Sequence, residues 1–227
     1  MSGSYDRTLR LWNLDTGAEE RRLVGADSII SNVVVSPDGR RLLSTGGPVV
    51  LVWDVASGRI ERPLGNDDRG GHYLQFFADS RKAISAGADR EVHLWNLDTG
   101  EELAALGEHS HAIEAGGLSA DERHFLAGCL DKTAWLWDLT SRQELRRLSF
   151  PHRVYRVVPT PMGFWVACND DQGGISVCDF DTQRELFRIE GHQAAVWGLE
   201  FTADRRRALT GSRDGTVRLW ELPGDLT

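Results

Sequence analysis

The 227-residue sequence has little cysteine, no long apolar run and no excess of basic residues. Its three cysteines are too few for a disulfide framework, which indicates a reducing, cytoplasmic location. No apolar run approaches the roughly 20 residues of a membrane-spanning helix, so we expect no membrane insertion. The net charge of −8 argues against nucleic-acid binding, because neutralising phosphates requires clustered lysine and arginine.

Tryptophan, in contrast, is abundant and regularly spaced. Five of the eight tryptophans lie at the centre of similar segments: RTLRLWNLDTG (7–17), PVVLVWDVASG (48–58), REVHLWNLDTG (90–100), KTAWLWDLTSR (132–142) and GTVRLWELPGD (215–225). A sixth segment, GGISVCDFDTQ (173–183), has Cys178 in place of tryptophan, and successive copies are 41 or 42 residues apart. Such regular spacing predicts a repeat architecture.

Each period contains four short strand patterns separated by turn signals. In the fourth period these are AIEAGGL (112–118), RHFLAG (123–128), TAWLWDL (133–139) and QELRRLS (143–149). Strands of this length joined by two to five residues form antiparallel hairpins. One four-stranded sheet cannot bury both of its faces, whereas similar sheets packed radially can, so each period predicts one blade of a β-propeller.

The repeats resemble those of the WD40-repeat family over essentially the whole chain. Its marks are Gly191-His192 at the start of a repeat, Trp53-Asp54 and Trp137-Asp138 at the ends of third strands, and an aspartate six residues before the tryptophan. That aspartate occurs as Asp6, Asp89, Asp131 and Asp214. The resemblance implies an all-β, WD40-type β-propeller with blades of about 42 residues. We expect one domain, 1–227, whose six repeat units end near 24, 65, 107, 149, 190 and 227.

The first and last repeats are predicted to be incomplete. Ser2-Gly3-Ser4 reads as the end of a second strand, and the chain ends after a third strand, 216–222. We interpret the chain as a fragment, or an incompletely closed ring, and leave the number of blades open. In related propellers an N-terminal fourth strand completes the last blade, but here 8–14 and 216–222 would compete for it. Exposed strand edges at both ends predict self-association between chains.

Blades of this family contain a buried hydrogen-bonded chain of tryptophan, serine or threonine, histidine and aspartate. Such a network satisfies several buried polar groups together. By position it is complete in the last repeat and partial in two others. Its members are His192, Thr210, Asp214 and Trp220 in the last repeat; His109, Asp131 and Trp137, with Ala127 in place of the hydroxyl, in the fourth; and Ser85, Asp89 and Trp95, with Asp67 in the histidine position, in the third.

The second and fifth repeats have lost more of this pattern. The second has Gly47 at the aspartate position and Gly25 or Ala26 near the histidine position. In the fifth, the four places are taken by Phe150, Cys168, Gln172 and Cys178. We expect both blades to depend on apolar packing alone and to open first in hydrogen exchange. Because the His/Asp/Ser sets recur once per blade, we interpret them as structural and not as catalytic triads.

In this family, partners commonly dock on the loop face, at the start of each innermost strand. The residue types that dominate binding hot spots are tryptophan, tyrosine and arginine. The candidate partner-binding residues are Trp197, Tyr155, Arg153, Arg213, Tyr5, His72 and Glu114. The alternative is that Trp197 and Tyr155 only fill the mouth of the channel.

Two pairs of residues, one of cysteines and one of histidines, suggest a disulfide and a metal site. Cys168 and Cys178 are expected on adjacent strands, where they would form either a disulfide staple or, as we favour, two buried thiols. His109 and His111 offer only two metal ligands, so we expect no metal site there.

The resemblance implies a non-catalytic scaffold that binds a protein or peptide and needs no cofactor. The sequence contains no G-x-x-x-x-G-K-[ST], H-E-x-x-H, G-x-S-x-G or dinucleotide-binding motif. Two alternatives stay open. The chain could be the sensory or docking module of a larger protein, such as a kinase. It could also be a propeller enzyme, with Glu114 and His72 as its acid/base pair.

Overall fold

The computed structural model describes residues 1–45, 47, 49–65, 71–161, 163–170, 172–202 and 204–223. It divides into two compact units, Met1–Ile113 and Glu114–Thr227. All regular structure in the described ranges is β-strand, in six antiparallel sheets. This confirms the expected all-β fold class of six repeated sheets. No helix long and apolar enough to cross a membrane occurs in these ranges.

The first unit holds three sheets, numbered here in chain order. Sheet 1 has three strands, and sheets 2 and 3 have four each. Their strands are β1 (Ser2–Gly3), β2 (Leu9–Trp12) and β3 (Glu19–Leu23); β4 (Val33–Val35), β5 (Arg41–Thr45), β6 (Val50–Asp54) and β7 (Arg59–Leu64); and β8 (Gly71–Phe76), β9 (Lys82–Gly87), β10 (Val92–Asn96) and β11 (Glu102–Leu106).

The second unit holds sheets 4 and 5, with four strands each, and the three-stranded sheet 6. Their strands are β12 (Ile113–Leu118), β13 (His124–Cys129), β14 (Thr133–Asp138) and β15 (Gln143–Ser149); β16 (Arg153–Thr160), β17 (Gly163–Asn169), β18 (Ile175–Asp179) and β19 (Glu185–Ile189); and β20 (Val196–Phe201), β21 (Arg207–Ser212) and β22 (Val217–Glu221). The four strands predicted for the fourth period agree with β12 to β15 to within one residue at each end.

Strand alternation explains how the inner sheets are buried on both faces. In β17, Val166 packs in the cluster formed with sheet 4, whereas the next residue, Ala167, packs in the cluster formed with sheet 6. In the first unit, Leu42 belongs to the cluster with sheet 1 and Leu43 to the cluster with sheet 3. Successive side chains of a strand point to opposite faces, so an inner sheet of the stack reads as a nearly continuous apolar run.

A register shift recurs at the same place in every third strand that pairs with a fourth strand. It falls immediately before Trp12, Trp53, Trp95, Trp137 and Cys178. A bulge of this kind bends the strand locally, and its recurrence marks equivalent positions in the repeats. The shared bulge shows that Cys178 is the structural equivalent of the tryptophans.

The two ends of the chain pair differently. The outer strand β3 pairs with β2, so the segment 8–14 has its own fourth strand. The nearly identical segment around β22 pairs only with β21 within the described residues. Within the described residues, sheets 1 and 6 have three strands each.

Candidate protein-interaction site and its buried supports

Sheet 6 contains a continuous network of buried and partly buried hydrogen bonds. Trp220 Nε1 donates to Thr210 Oγ1 at 2.7 Å, and the same hydroxyl lies 2.7 Å from His192 Nε2. His192 Nδ1 lies 2.9 Å from Asp214 Oδ2. The threonine hydroxyl can accept from the indole and still bond the imidazole, because a hydroxyl is both donor and acceptor. One side chain from β21 thus links the third strand to the loop before β20.

Asp214 is the last member of this hydrogen-bond network, and it also shapes the turn between β21 and β22. Its Oδ1 accepts the Thr216 backbone N–H at 2.9 Å and the Thr216 hydroxyl at 2.6 Å, and its Oδ2 accepts the Gln193 N–H at 3.0 Å. The hydrogen bond from Thr216 is the main reason why the pKa of Asp214 lies well below its ordinary value of 3.8. The carboxylate therefore stays charged and fixes both the turn and the histidine.

Sheet 4 has the same tryptophan, histidine and aspartate but Ala127 in place of the hydroxyl. Asp131 shapes its turn as Asp214 does, accepting the Thr133 N–H at 2.9 Å. The buried atoms His109 Nε2 and Trp137 Nε1 lack the hydrogen bonds that Thr210 makes in sheet 6, although both residues have other contacts. Trp137 instead stacks on Trp135, with ring centroids 6.1 Å apart. The network is therefore broken at one atom.

Sheet 3 builds a different network around a histidine that sequence reasoning missed. Trp95 Nε1 donates to Ser85 Oγ at 2.8 Å, as the pattern predicts. The buried ring of His93 lies between two carboxylates, with Nε2 2.7 Å from Asp89 Oδ2 and Nδ1 2.7 Å from Glu102 Oε1. Asp67, which was expected in the histidine position, lies outside the described residues.

The carboxylates of Asp89 and Glu102 stabilise the charged form of His93. Burial by itself lowers the pKa of His93, but hydrogen bonds and charge from Asp89 and Glu102 outweigh it, so the net pKa is raised above 6.5. Glu91 also lies nearby, with Oε2 3.9 Å from His93 Nε2. Oxygen and nitrogen atoms of Asp89, Glu91 and His93 lie within metal-ligand reach of one another. The short contacts of His93 are those of an ion pair, which accounts for this group without a metal.

The expectation that the second repeat depends on apolar packing alone was wrong. Trp53 Nε1 donates to the buried Ser44 Oγ at 2.9 Å, so sheet 2 does not depend on apolar packing alone. Trp12 Nε1 makes the equivalent bond to Ser2 Oγ at 2.9 Å in sheet 1. The hydroxyl nine or ten residues before the tryptophan was visible in the sequence. In sheet 2 this hydroxyl is kept although the histidine and aspartate of the pattern are absent.

Sheet 5 fills the network positions with apolar side chains. Phe150, Cys168 and Cys178 are buried in one cluster, and the thiols are free. Cys168 pairs with Ser176, and Cys178 pairs with Val166, so the two cysteines are diagonal and not opposite. Diagonal neighbours have Cα atoms about 7–8 Å apart, beyond ordinary disulfide geometry, so the staple is wrong and the buried-thiol interpretation holds.

Polar order in sheet 5 comes from residues that the pattern did not identify. Gln172, at the expected aspartate position, is exposed. Asp170 shapes the turn in its place, because its Oδ1 accepts the Gln172 and Gly174 backbone N–H groups at 2.9 and 2.8 Å. Arg188 bridges Asp170 Oδ2 at 2.6 Å and Ser176 Oγ at 2.7 Å. This repeat thus replaces histidine by an arginine from its outer strand.

Three candidate partner-binding residues share an unexpected backbone feature. Trp197, Tyr155 and His72 each lie at a register shift in the first strand of their sheet. Bulges next to functional sites re-aim side chains away from the regular alternation of a strand. Trp197 is 63% exposed, which is unusual for so large an apolar ring.

Within the second unit, the structure brings four of the candidates to one region. Arg213 lies over the Trp197 ring, with its guanidinium carbon 5.9 Å from the centroid. Arg153 starts β16 and pairs with Asn169, whose side-chain amide donates to the Val196 carbonyl at 2.7 Å, next to Trp197. Tyr155 lies two residues further along β16 and is half-buried. These four residues, Arg153, Tyr155, Trp197 and Arg213, are called here the Trp197 surface.

The other three candidates are Tyr5, His72 and Glu114. Tyr5 and His72 belong to the first unit and are exposed, and the His72 carbonyl accepts the Asn32 side-chain N–H at 2.8 Å. Glu114 belongs to the second unit and is half-buried on β12.

Sequence comparisons agree with this geometry. The family described as "WD domain, G-beta repeat" matches residues 100–138 and 183–221, which cover β11 to β14 and β19 to β22. These two matches identify WD40 repeats in the chain. Over most of its length the chain is similar to Autophagy-related protein 16 of Arabidopsis thaliana, at 26% identity over 97% of this chain. It is also similar to WD repeat-containing protein 18 of Danio rerio, at 24% identity over 94%.

A shorter match, 33% identical over 44% of this chain, is to the small ribosomal subunit protein RACK1y of Oryza sativa subsp. japonica. The chain spans 35%, 55% and 29% of the lengths of these three relatives, respectively. WD40 propellers of this kind generally act as protein-interaction scaffolds.

Proposed function

We propose that this WD40-repeat protein is a non-catalytic scaffold that binds a protein or peptide through the Trp197 surface. The observation that carries the proposal is the bulged, 63% exposed Trp197 with Arg213 beside its ring. Aromatic and arginine side chains held on a rigid sheet lose little conformational entropy on binding, and they dominate hot spots. The hydrogen bond from Asn169 to Val196 keeps this part of sheets 5 and 6 together.

The test compares matched surface variants in a quantitative pull-down from the source cell. Trp197→Ala and Tyr155→Ala should each lower the recovery of a specific partner by at least about tenfold, as expected for hot-spot residues. The control is Leu145→Ala, which removes an exposed apolar side chain of the same unit on β15. Equal recovery with all variants would exclude the Trp197 surface as the binding site.

We also propose that the chain is a sensory or docking module of a larger protein, because it spans only 35% and 55% of the lengths of two relatives.

The alternative enzyme would use Glu114 and His72. This alternative predicts an activity in a general hydrolase screen that Glu114→Ala abolishes, whereas the scaffold proposal predicts no such activity.

The free, buried cysteines suit a reducing compartment, so we also propose a cytoplasmic location, which imaging of a tagged chain would test.

Self-association is a third proposal and concerns the outer strand edges. In the described residues, the edge strands β1 and β22 each pair on one side only. Unpaired edges are templates for pairing with another chain. We expect a concentration-dependent dimer in analytical ultracentrifugation, and a monodisperse monomer at every concentration would contradict it.

A further inference from the structure

A groove of about 360 Å³ lies between sheets 4 and 5 of the second unit, beside the hairpins that join their first and second strands. Its apolar lining is largely buried, with Phe164 and Phe180 only 5% and 1% exposed. Its acids face solvent, since the side chains of Asp121 and Asp181 are 57% and 56% exposed. Among the described residues that line it there is no lysine or arginine. An apolar groove with an acidic rim suits a side chain that has an apolar stem and a cationic end.

The first unit has an equivalent groove between sheets 2 and 3, and backbone hydrogen bonds fix the correspondence between the two. Arg41 N donates to Ser36 Oγ, and His124 N donates to Ser119 Oγ, both at 2.9 Å. Each of these residues is also the first of the second strand of its sheet. His124 therefore holds the place of Arg41.

A second pair of backbone bonds fixes the opposite wall of each groove. The bond from Leu97 N to Arg81 O, at 2.8 Å, has its counterpart in the bond from Phe180 N to Phe164 O, at 2.9 Å. Phe164 therefore holds the place of Arg81. In both sheets the next residue along the chain is an aspartate, Asp98 or Asp181.

In the first unit, two arginines of the chain itself line the groove and pair with its aspartate. Arg41 Nη1 lies 2.9 Å from Asp98 Oδ1, and Arg41 Nε lies 3.2 Å from Glu61 Oε2. Arg81 Nε lies 3.7 Å from Asp98 Oδ2. The molecule thus shows which side chain fits a groove of this shape.

In the second unit the aspartate is kept and both arginines are lost. The nitrogen atoms of His124 come no closer than 3.9 Å to Asp121 and Asp138, and in the described part of the chain His124 makes no ion pair with Asp181. Phe164, in the place of Arg81, carries no charge. The groove between sheets 4 and 5 therefore has the carboxylate of this pair without its cation.

One arginine does reach Asp181, but it has a counterpart in both grooves. Arg146 Nη1 lies 3.1 Å from Asp181 Oδ1, and Arg146 Nη2 donates to Asp181 O at 3.1 Å. Arg62, at the same register position in β7, donates to Asp98 O at 3.1 Å. Because Asp98 binds Arg62 and Arg41 together, Arg146 does not take the place of Arg41. Asp181 Oδ2 accepts no hydrogen bond within the described residues.

We propose that the groove between sheets 4 and 5 binds an arginine side chain of a partner protein, in the place that Arg41 fills in the first unit. The stem of this arginine would lie on Phe164 and Phe180, and its guanidinium would bond Asp181 Oδ2. Arginine suits the groove better than lysine, because its planar guanidinium stacks on aromatic rings and binds a carboxylate through two N–H groups.

This site is separate from the Trp197 surface. The strand β16 begins with Arg153, which belongs to that surface, and ends with Thr160, which lines the groove. Its eight residues span about 23 Å, so one arginine side chain does not reach both sites. The proposal therefore does not depend on the Trp197 surface.

The probe is a display library of random peptides, selected on the whole chain and counter-selected on His124→Arg. This variant places an arginine of the chain itself where sheet 2 has Arg41, so it fills the groove. The selected peptides should share an arginine. Replacing that arginine by citrulline, which keeps the shape and removes the charge, should weaken binding at least about tenfold in fluorescence anisotropy.

Matched variants of the chain locate the bound arginine. Asp181→Asn removes the carboxylate that the guanidinium is proposed to bond, so it should weaken binding of a selected peptide at least about tenfold. Asp98→Asn is the matched control, because it makes the same change in the groove that already holds Arg41, and it should leave the affinity unchanged.

Three results would overturn the proposal. The first is a selection that yields no peptide able to distinguish the chain from His124→Arg, or from Asp181→Asn where the arginine variant fails to fold. The second is a set of selected peptides without a common arginine, or equal affinity of the arginine and citrulline peptides. The third is loss of peptide binding in Trp197→Ala, which would place the peptide on the Trp197 surface. Trp197→Ala should instead leave peptide binding unchanged, which separates this test from that of the scaffold proposal.

Discussion

Sheets 4 and 6 carry the same tryptophan, histidine and aspartate and differ where one has Ala127 and the other Thr210. In sheet 6 the threonine hydroxyl joins Trp220 to His192, with 2.7 Å to each. In sheet 4 the corresponding nitrogen atoms, His109 Nε2 and Trp137 Nε1, are buried without those bonds. A single hydroxyl in the second strand therefore decides whether a repeat has a continuous polar network, because in sheet 6 this hydroxyl bonds both rings.

The largest effect is expected from breaking the complete network. Thr210→Ala should lower the free energy of unfolding by about 2 kcal/mol, because it removes the hydrogen bonds of the buried His192 ring and of the partly buried Trp220 indole. Urea denaturation followed by tryptophan fluorescence measures this. Thr210→Ser keeps the hydroxyl and should recover most of the loss, so equal destabilisation by alanine and serine would show that packing, and not the hydrogen bonds, is responsible.

A smaller effect, and one that depends on pH, is expected in sheet 3. The pKa of His93 is raised above 6.5 in the folded chain, so the charged histidine stabilises the fold fully below pH 6.5, and this stability is lost as pH rises through the folded pKa. His93→Gln should cost about 1–2 kcal/mol at pH 6 and less at pH 9, as expected for hydrogen bonds to charged groups. Urea titrations of both proteins at the two pH values give the difference. A cost that grows with pH would contradict the assigned ion pair.

Repairing sheet 4 tests the comparison in the opposite direction. Ala127→Ser adds a hydroxyl at the position of Thr210 and should raise the free energy of unfolding by about 1 kcal/mol. Urea denaturation measures the gain. Ala86→Ser is the matched control, since it places the same hydroxyl at a buried position of a second strand that has no tryptophan partner to satisfy. Equal changes in both variants would argue against a repaired network.

The smallest effect is expected at the cysteines of sheet 5. Burial raises the pKa of Cys168 to about 12 and also raises the pKa of Cys178. The thiols should therefore react slowly with iodoacetamide at pH 8, and a reductant should leave the melting temperature unchanged. Rapid alkylation of the folded chain, or a fall in melting temperature on reduction, would contradict this.

The fold was predictable to a greater extent than the site. The 41- or 42-residue spacing located the third strand of every repeat, because the tryptophan has to lie between sheets at an equivalent place in each. The strand limits of the fourth period followed from alternation and turn residues. Exposure was not predictable: the bulges at Trp197, Tyr155 and His72 arise from strand pairing, which leaves no local mark in the sequence.

Substituted networks were also missed, for a physical reason. His93 lies two residues before Trp95, so strand alternation places both side chains on one face of the sheet. The sequence also has two carboxylates, Asp89 and Glu102, that can form hydrogen bonds with the histidine. That signal was present, but it lay outside the family's usual positions. The diagonal arrangement of Cys168 and Cys178 depends on a register that a count of residues does not supply, because one step in register changes the partner.

Amide hydrogen exchange of the second and third strands of sheets 4 and 6 tests the central claim most directly. If one hydroxyl controls each network, Ala127→Ser should slow exchange in β13 and β14 and leave β21 and β22 unchanged. Thr210→Ala should speed exchange in β21 and β22 alone. Equal changes in both sheets for either variant, or no change in either sheet, would contradict the account.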